Sequence, residues 1–131
     1  MTTHHGITYK GGYKYQLKKD YRHNGVIFPA CNFHSFLVIR DQALIIQAGY
    51  AWDGPSGPSF DTDNFMRASL VHDALYQLIR EGWLSKTDRK ACDQILFDIC
   101  IADGMTWFRA KWVYHAVRTF GGKAAQNRGI S

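Results

Sequence analysis

The stretch that most constrains this chain runs from Asn64 to Arg80, NFMRASLVHDALYQLIR. Leu70 and Val71, Ala74 and Leu75, and Leu78 and Ile79 recur at helical spacing, so the segment reads as one amphipathic helix of about four to five turns. Set into its apolar stripe are His72 and Tyr76, one turn apart and therefore on one face, while Asp73 projects about 100° round from His72. Polar groups on a buried stripe are costly without partners. One account is a structural histidine bonded to a backbone carbonyl. A second buried carboxylate would instead make His72 part of a site.

Downstream, Ser85-Lys86-Thr87-Asp88 has the form of a capping box and opens a second helix to about Asp103, with Gly104 as its stop. Asp93 shares a face of that helix with Leu96, Phe97 and Cys100 and needs a charged or donor partner there. Asp98 falls on the more polar side. Two antiparallel helices joined by a short linker bring their apolar faces together, and Asp93 can then face His72. A carboxylate on one imidazole nitrogen fixes the tautomer and leaves the other nitrogen to take a proton from water. Asp73 is then the candidate cation ligand. Calcium takes about six to eight oxygens, and the segment GYAWDGPSGPS from Gly49 to Ser59 could supply backbone carbonyls. It is too rich in Gly and Pro for a helix or a central strand. A cation beside an activated water polarises an ester carbonyl and stabilises the developing oxyanion, which is a hydrolase arrangement.

The N-terminal part reads as strands. From Ile7 to about Tyr21 tyrosines alternate with polar residues (Tyr13, Tyr15, Leu17), which reads as a half-exposed strand after the Gly11-Gly12 turn, and Val26 to Phe28 form a short strand ending at Pro29. Residues 36–39 and 43–47 flank Arg40-Asp41-Gln42 as an antiparallel hairpin. Asp61, Thr62 and Asp63 are available to cap the His72 helix. A third helix, about Met105 to Phe120, carries Trp107, Trp112, Val113, Val117 and Phe120 as packing residues, and Gly121-Gly122 ends it. The expectation is an α+β fold: N-terminal antiparallel strands and a hairpin, then a three-helix C-terminal half whose antiparallel helix pair carries the His/Asp site. It is organised as a single domain of 131 residues, with a β-rich part over 1–48, a Gly/Pro loop over 49–63, a helical part over 64–121 and a tail over 122–131.

Composition narrows the function classes. No window holds the roughly 18 uninterrupted apolar residues of a membrane span. The start, MTTHHGITYK, lacks the basic and apolar runs of a secretory signal. The 3 cysteines are too few for a disulfide framework, which suits a reducing cytoplasm. Cys31 and His34 have C-x-x-H spacing but no second ligand pair for zinc. A phosphohydrolase of the His-Asp kind would need an upstream metal-binding histidine, and the only candidate, His34, reads as part of a strand rather than a helix. The formal charge of +5 suits a polyanionic partner, an anionic membrane surface or nucleic acid, but the cations are scattered without a dense tract and read first as solvated surface. Aromatics are not interleaved with a basic stripe in any nucleic-acid module, so no specific nucleic acid is expected.

The run HDALY, with Ala91-Cys92-Asp93 about twenty positions on, resembles the helix pair of calcium-dependent phospholipase A(2). The likeness is closest to the compact, disulfide-free phospholipase domain of parvovirus capsid proteins, and it covers roughly residues 49 to 100. It implies His72 as the base that activates water, Asp93 as its orienting partner and Tyr76 as a hydrogen-bonding support. It further implies calcium held by Asp73 and by a loop comprising Asp53, Gly54, Ser56 and Gly57, with an anionic phospholipid surface as substrate. Arg67-Ala68-Ser69 stand where the secreted enzymes have cysteines, the loop carries prolines where that family has glycines, and Asp53 has no counterpart there. A longer likeness, from GYAWDGPSGPS through RASLVHDALYQLIR to AVRTFGG, is to small proteins of tailed bacteriophages and prophages. It implies a phage product in the host cytoplasm or the virion. In that setting the catalytic reading is a phospholipase A(2)-like hydrolase with Trp52, Trp83, Trp107 and Trp112 seating it on lipid. The alternative is a non-catalytic virion or tail accessory protein that keeps the helix pair as scaffold and contacts other tail proteins.

Overall fold

The computed structural model describes residues 2–4, 6–11, 15–32, 34–53, 64–123 and 125. The chain forms two compact units, Met1–Ser56 and Gly57–Ser131. Among the described residues, the N-terminal unit holds all the strands and the C-terminal unit all the helices, the α+β arrangement anticipated above.

The first unit contains two antiparallel sheets. One has the order β1 (Thr2–His4), β2 (Ile7–Lys10), β3 (Tyr15–Leu17), β7 (Ala51–Trp52). The other has the order β4 (Tyr21–Asn24), β6 (Ala43–Ile46), β5 (Leu37–Arg40). The hairpin from β5 to β6 turns at Asp41 and Gln42, both with positive φ (54° and 58°), the type I′ geometry whose twist matches that of paired strands. Period-two burial puts Leu37 and Ile39 of β5, with Leu44 and Ile46 of β6, into this unit's core.

The strand expected after Gly11-Gly12 is β3, which pairs with β2 ahead of those glycines, while Tyr21 opens β4 in the other sheet. Two sequence-based expectations need correcting here. Residues 26–28 are not a strand: Gly25 and Val26 both donate to the Gln42 carbonyl, which ends the β4 ladder and leaves Ile27 in solvent. Trp52 cannot seat on lipid. It lies opposite Tyr15, packs against the rings of Tyr9 and Tyr15, and is only 2% exposed.

The second unit is three helices, α1 (Met66–Arg80), α2 (Arg89–Ala102) and α3 (Trp107–Phe120). The apolar pairs anticipated on α1 are all buried, and α2 packs against both α1 and α3. Helices α1 and α2 run antiparallel, since Arg67 at the start of α1 forks onto Asp103 just past α2, with Nε to Oδ2 at 2.9 Å and Nη2 to Oδ1 at 2.7 Å. Ser85 and Asp88 form the expected capping box, which opens a short 3-10 turn ahead of α2. Gly104 stops α2 with φ of +97°: its N–H reaches Ile101 and that of Met105 reaches Cys100, a Schellman pattern. The N-cap position of α1 is Phe65, without a side-chain cap bond, while Asp61, Thr62 and Asp63 lie outside the described residues.

Helix α3 departs from expectation. Ala110 and Val113 face the core, whereas Trp107, Trp112 and Phe120 are exposed rather than packing residues. The helical period puts residues 110, 113 and 117 on one side, which is enough to cover α2, and turns Trp107 and Trp112 away from it.

Candidate functional site

The centre of the helical unit is a single carboxylate. Asp93 is 0% exposed, and α2 aims it between α1 and α3. Its Oδ1 meets Nε2 of His72 at 2.7 Å and accepts from the Tyr76 hydroxyl at 2.5 Å. Both partners come from α1, where one-turn spacing stacks the two rings with centroids 4.1 Å apart. The other oxygen, Oδ2, accepts from Arg118 Nη1 of α3 at 2.7 Å, and Arg89 Nη1 stands 3.8 Å away. The second buried carboxylate that the His72 stripe called for is therefore present, and the pairing of His72, Tyr76 and Asp93 is the one the sequence suggested.

Sequence reading missed the two arginines. Arg89 gives Nη1 to the Tyr76 hydroxyl at 3.2 Å and to the Val117 carbonyl at 3.1 Å, and Nη2 to the Arg118 carbonyl at 3.1 Å. It thus bonds two of the last carbonyls of α3, that of Val117 being shared with the Gly121 N–H. The signal for Arg89 was available: it precedes Asp93 by one turn, so it shares the carboxylate's face. Arg118 had none in spacing, because only the packing of α3 brings it there.

Electrostatics follow from this geometry. Burial alone would raise the Asp93 carboxyl, but hydrogen bonds from His72, Tyr76 and Arg118 outweigh it and hold the group below the ordinary carboxylate range. Burial and the adjoining Asp93 charge push the Tyr76 phenol up, so it stays a donor. Arg118 is raised by its bond to Asp93. Burial pushes the thiols of Cys92 and Cys100 up to about 12, which keeps them protonated and poor nucleophiles.

With Nε2 committed to Asp93, the other ring nitrogen of His72, Nδ1, carries no hydrogen bond among the described residues, and the side chain is 9% exposed. A ring fixed at one nitrogen and open at the other can take a proton from a water. Asp73, the next residue of α1, is half-buried. Of the other candidate metal ligands, Asp53 belongs to the first unit, while Gly54, Ser56 and Gly57 lie outside the described residues. Among the described residues no three His, Cys, Asp or Glu side chains cluster to hold a metal. A calcium site of one carboxylate plus backbone carbonyls would not need such a cluster. His115 is exposed on α3, and Asp98, also exposed, accepts from Gln94 one turn earlier.

Gly121 closes the site from below. A Cβ there would sit 2.5 Å from the Val117 carbonyl, 2.8 Å from the Tyr76 hydroxyl and 3.1 Å from Arg89 Nη1. Gly121→Ala should therefore destabilise the protein by about 1–3 kcal/mol, the scale of overpacking a tight site. Urea midpoints would show it, and an unchanged midpoint would mean that the end of α3, Tyr76 and Arg89 all give way at little cost.

Residues 34–117 match a family described as protein of unknown function (DUF1353). The match includes His72, Asp73, Tyr76, Arg89 and Asp93 and stops one residue short of Arg118. No curated protein and no solved structure matches the chain.

Proposed function

The chain belongs to the DUF1353 family, and within that family of unknown function we propose that it is a metal-dependent, phospholipase A(2)-like hydrolase that cleaves a lipid ester with a His72-activated water. The observation that carries this reading is the buried His72–Asp93 contact at 2.7 Å, which leaves Nδ1 without a hydrogen bond among the described residues. Nδ1 takes a proton as the water oxygen attacks the ester carbonyl carbon, and returns it to the departing alkoxide, giving a carboxylic acid and an alcohol. Asp93 holds the ring and stabilises the imidazolium between the two steps. Tyr76 holds Asp93. Asp73, a hard oxygen donor beside the base, suits calcium and would hold it. When bound, calcium would polarise the ester carbonyl. The likeness of the longer run to tailed-phage proteins makes a phage product, acting in the host cytoplasm or the virion, the natural setting. Among the described residues no helix is long and apolar enough to cross a membrane.

A second reading rests on one observation. Asp93 is met by Arg118 at 2.7 Å as well as by His72, and an aspartate whose charge is already answered stabilises an imidazolium less. On that reading the network fixes the packing of three helices in a non-catalytic virion or tail accessory protein.

Calorimetric titration with calcium, paired with fatty-acid release from phosphatidylglycerol vesicles, decides between them. The proposal expects calcium binding that Asp73→Asn weakens at least tenfold, and ester cleavage that stops when calcium is chelated. A folded protein that releases no fatty acid at millimolar calcium supports the accessory reading.

A further inference from the structure

The chain's net positive charge has a definite place along the sequence. All 11 acidic residues lie before Gly104, as do 11 of the 16 lysines and arginines, so residues 104–131 hold five cations, no acid and the whole net charge of +5. Among the described residues, helix α3 also bears four exposed aromatics, Phe108 at 81%, Phe120 at its far end at 79%, Trp112 at 55% and Trp107 at 54%. Phe108 and Trp112 stand one turn apart, and Trp107 meets Phe108 edge to face at 5.2 Å. Lys111 lies beside them with its ammonium 5.8 Å from the Trp107 ring and 5.5 and 5.4 Å from those of Phe97 and Tyr114. Such cation–π contacts hold a charge at the edge of the aromatic patch rather than letting it range through solvent.

We infer that the face of α3 formed by the exposed Trp107, Phe108 and Trp112, with the half-buried Lys111 and Arg109 beside them, docks the protein on an anionic lipid surface. Large aromatics prefer the boundary between headgroups and acyl chains, and neighbouring cations are drawn to anionic headgroups. Aromatics next to cations, with no carboxylate on the helix, match both halves of that boundary. A protein partner would be expected to meet some charge of either sign. Unpaired nucleic acid shares the charge argument, but it needs rings placed along a basic groove, and here they stand within two turns of a single helix. The face lies outside residues 49–100, which carry the phospholipase resemblance. The inference deepens the hydrolase reading by naming the surface that would bring the protein to its substrate, yet docking requires no catalysis.

The test uses the full chain carrying His72→Gln, so that vesicles stay intact. Co-sedimentation is measured with equimolar phosphatidylcholine and phosphatidylglycerol, with phosphatidylcholine alone, and in competition with a single-stranded oligonucleotide. The expected result is binding to the anionic vesicles only. Phe108→Ser with Trp112→Ser should weaken it at least tenfold, and Lys111→Gln about fivefold, the effect of one cation at such a surface. Ile27→Ser, at an exposed apolar residue of the other unit, should leave it unchanged. Circular dichroism confirms that the variants fold. No sedimentation, equal binding after loss of both aromatics, or displacement by the oligonucleotide overturns the inference. Hydrolysis of a soluble short-chain ester by wild type, measured separately, decides the hydrolase reading whatever the vesicles do.

Discussion

Asp93→Ala should lower the free energy of unfolding by about 3–5 kcal/mol, the cost of removing one partner from a buried ionic pair. Alanine leaves the His72 ring, the Tyr76 hydroxyl and the Arg118 guanidinium without the acceptor they share, and Arg118 with an uncompensated charge. Asp98→Ala, which removes an exposed carboxylate from the same helix, should cost under about 0.5 kcal/mol. Acid adds a second readout. The Asp93 carboxyl is held below its ordinary range in the folded state, so the unfolded chain takes up the proton first as pH falls. Its contribution is complete above the ordinary value of about 3.9 and is lost as pH drops from there through the lower folded-state value. Wild type should therefore lose stability in that window more steeply than Asp93→Ala, and the gap between them should narrow. Denaturant curves from neutral pH into acid measure this, and parallel profiles would remove Asp93 from the centre of the fold.

His72→Gln separates chemistry from stability. Glutamine can still donate an N–H to Asp93, so folding should suffer little, but it cannot take a proton from water. If His72 is the base, ester cleavage should fall by about 10²–10⁴, the usual contribution of a positioned general base. That corresponds to roughly 3–5 kcal/mol on the barrier. The loss should appear in kcat, because the ring acts on the water rather than on substrate binding. Cleavage at the wild-type rate by a folded His72→Gln protein would eliminate the proposed role.

The polar centre was half legible in the sequence. His72, Tyr76 and Asp93 stood out because each interrupts an apolar helical stripe, and a short antiparallel linker leaves such residues few places to go. Arg118 did not stand out, since a cation near a helix C-terminus looks like ordinary solvated surface until tertiary packing gives it a carboxylate. The hairpin was legible from two apolar runs around Arg40-Asp41-Gln42. Yet Asp41 and Gln42 adopt positive φ without the usual glycine, so the turn type came from strand pairing and not from composition. The α3 aromatics misled for the opposite reason. Apolar residues at helical spacing mark a core face only when another element is there to cover it, and Ala110 and Val113 already meet α2.

Helix ends are ordinarily where a protein frays first. In this chain the last turn of α3 is tied down by Arg89, whose guanidinium spans the Val117 and Arg118 carbonyls and the hydroxyl of Tyr76. Opening that turn would release Arg89 from its carbonyls, free the backbone that positions Arg118 and loosen the hydroxyl that supports Asp93. A segment near the end of the chain and the imidazole at its middle therefore share one opening event. Whatever steadies α3 from outside would also steady His72, which makes the polar centre responsive to conditions at a surface it does not touch.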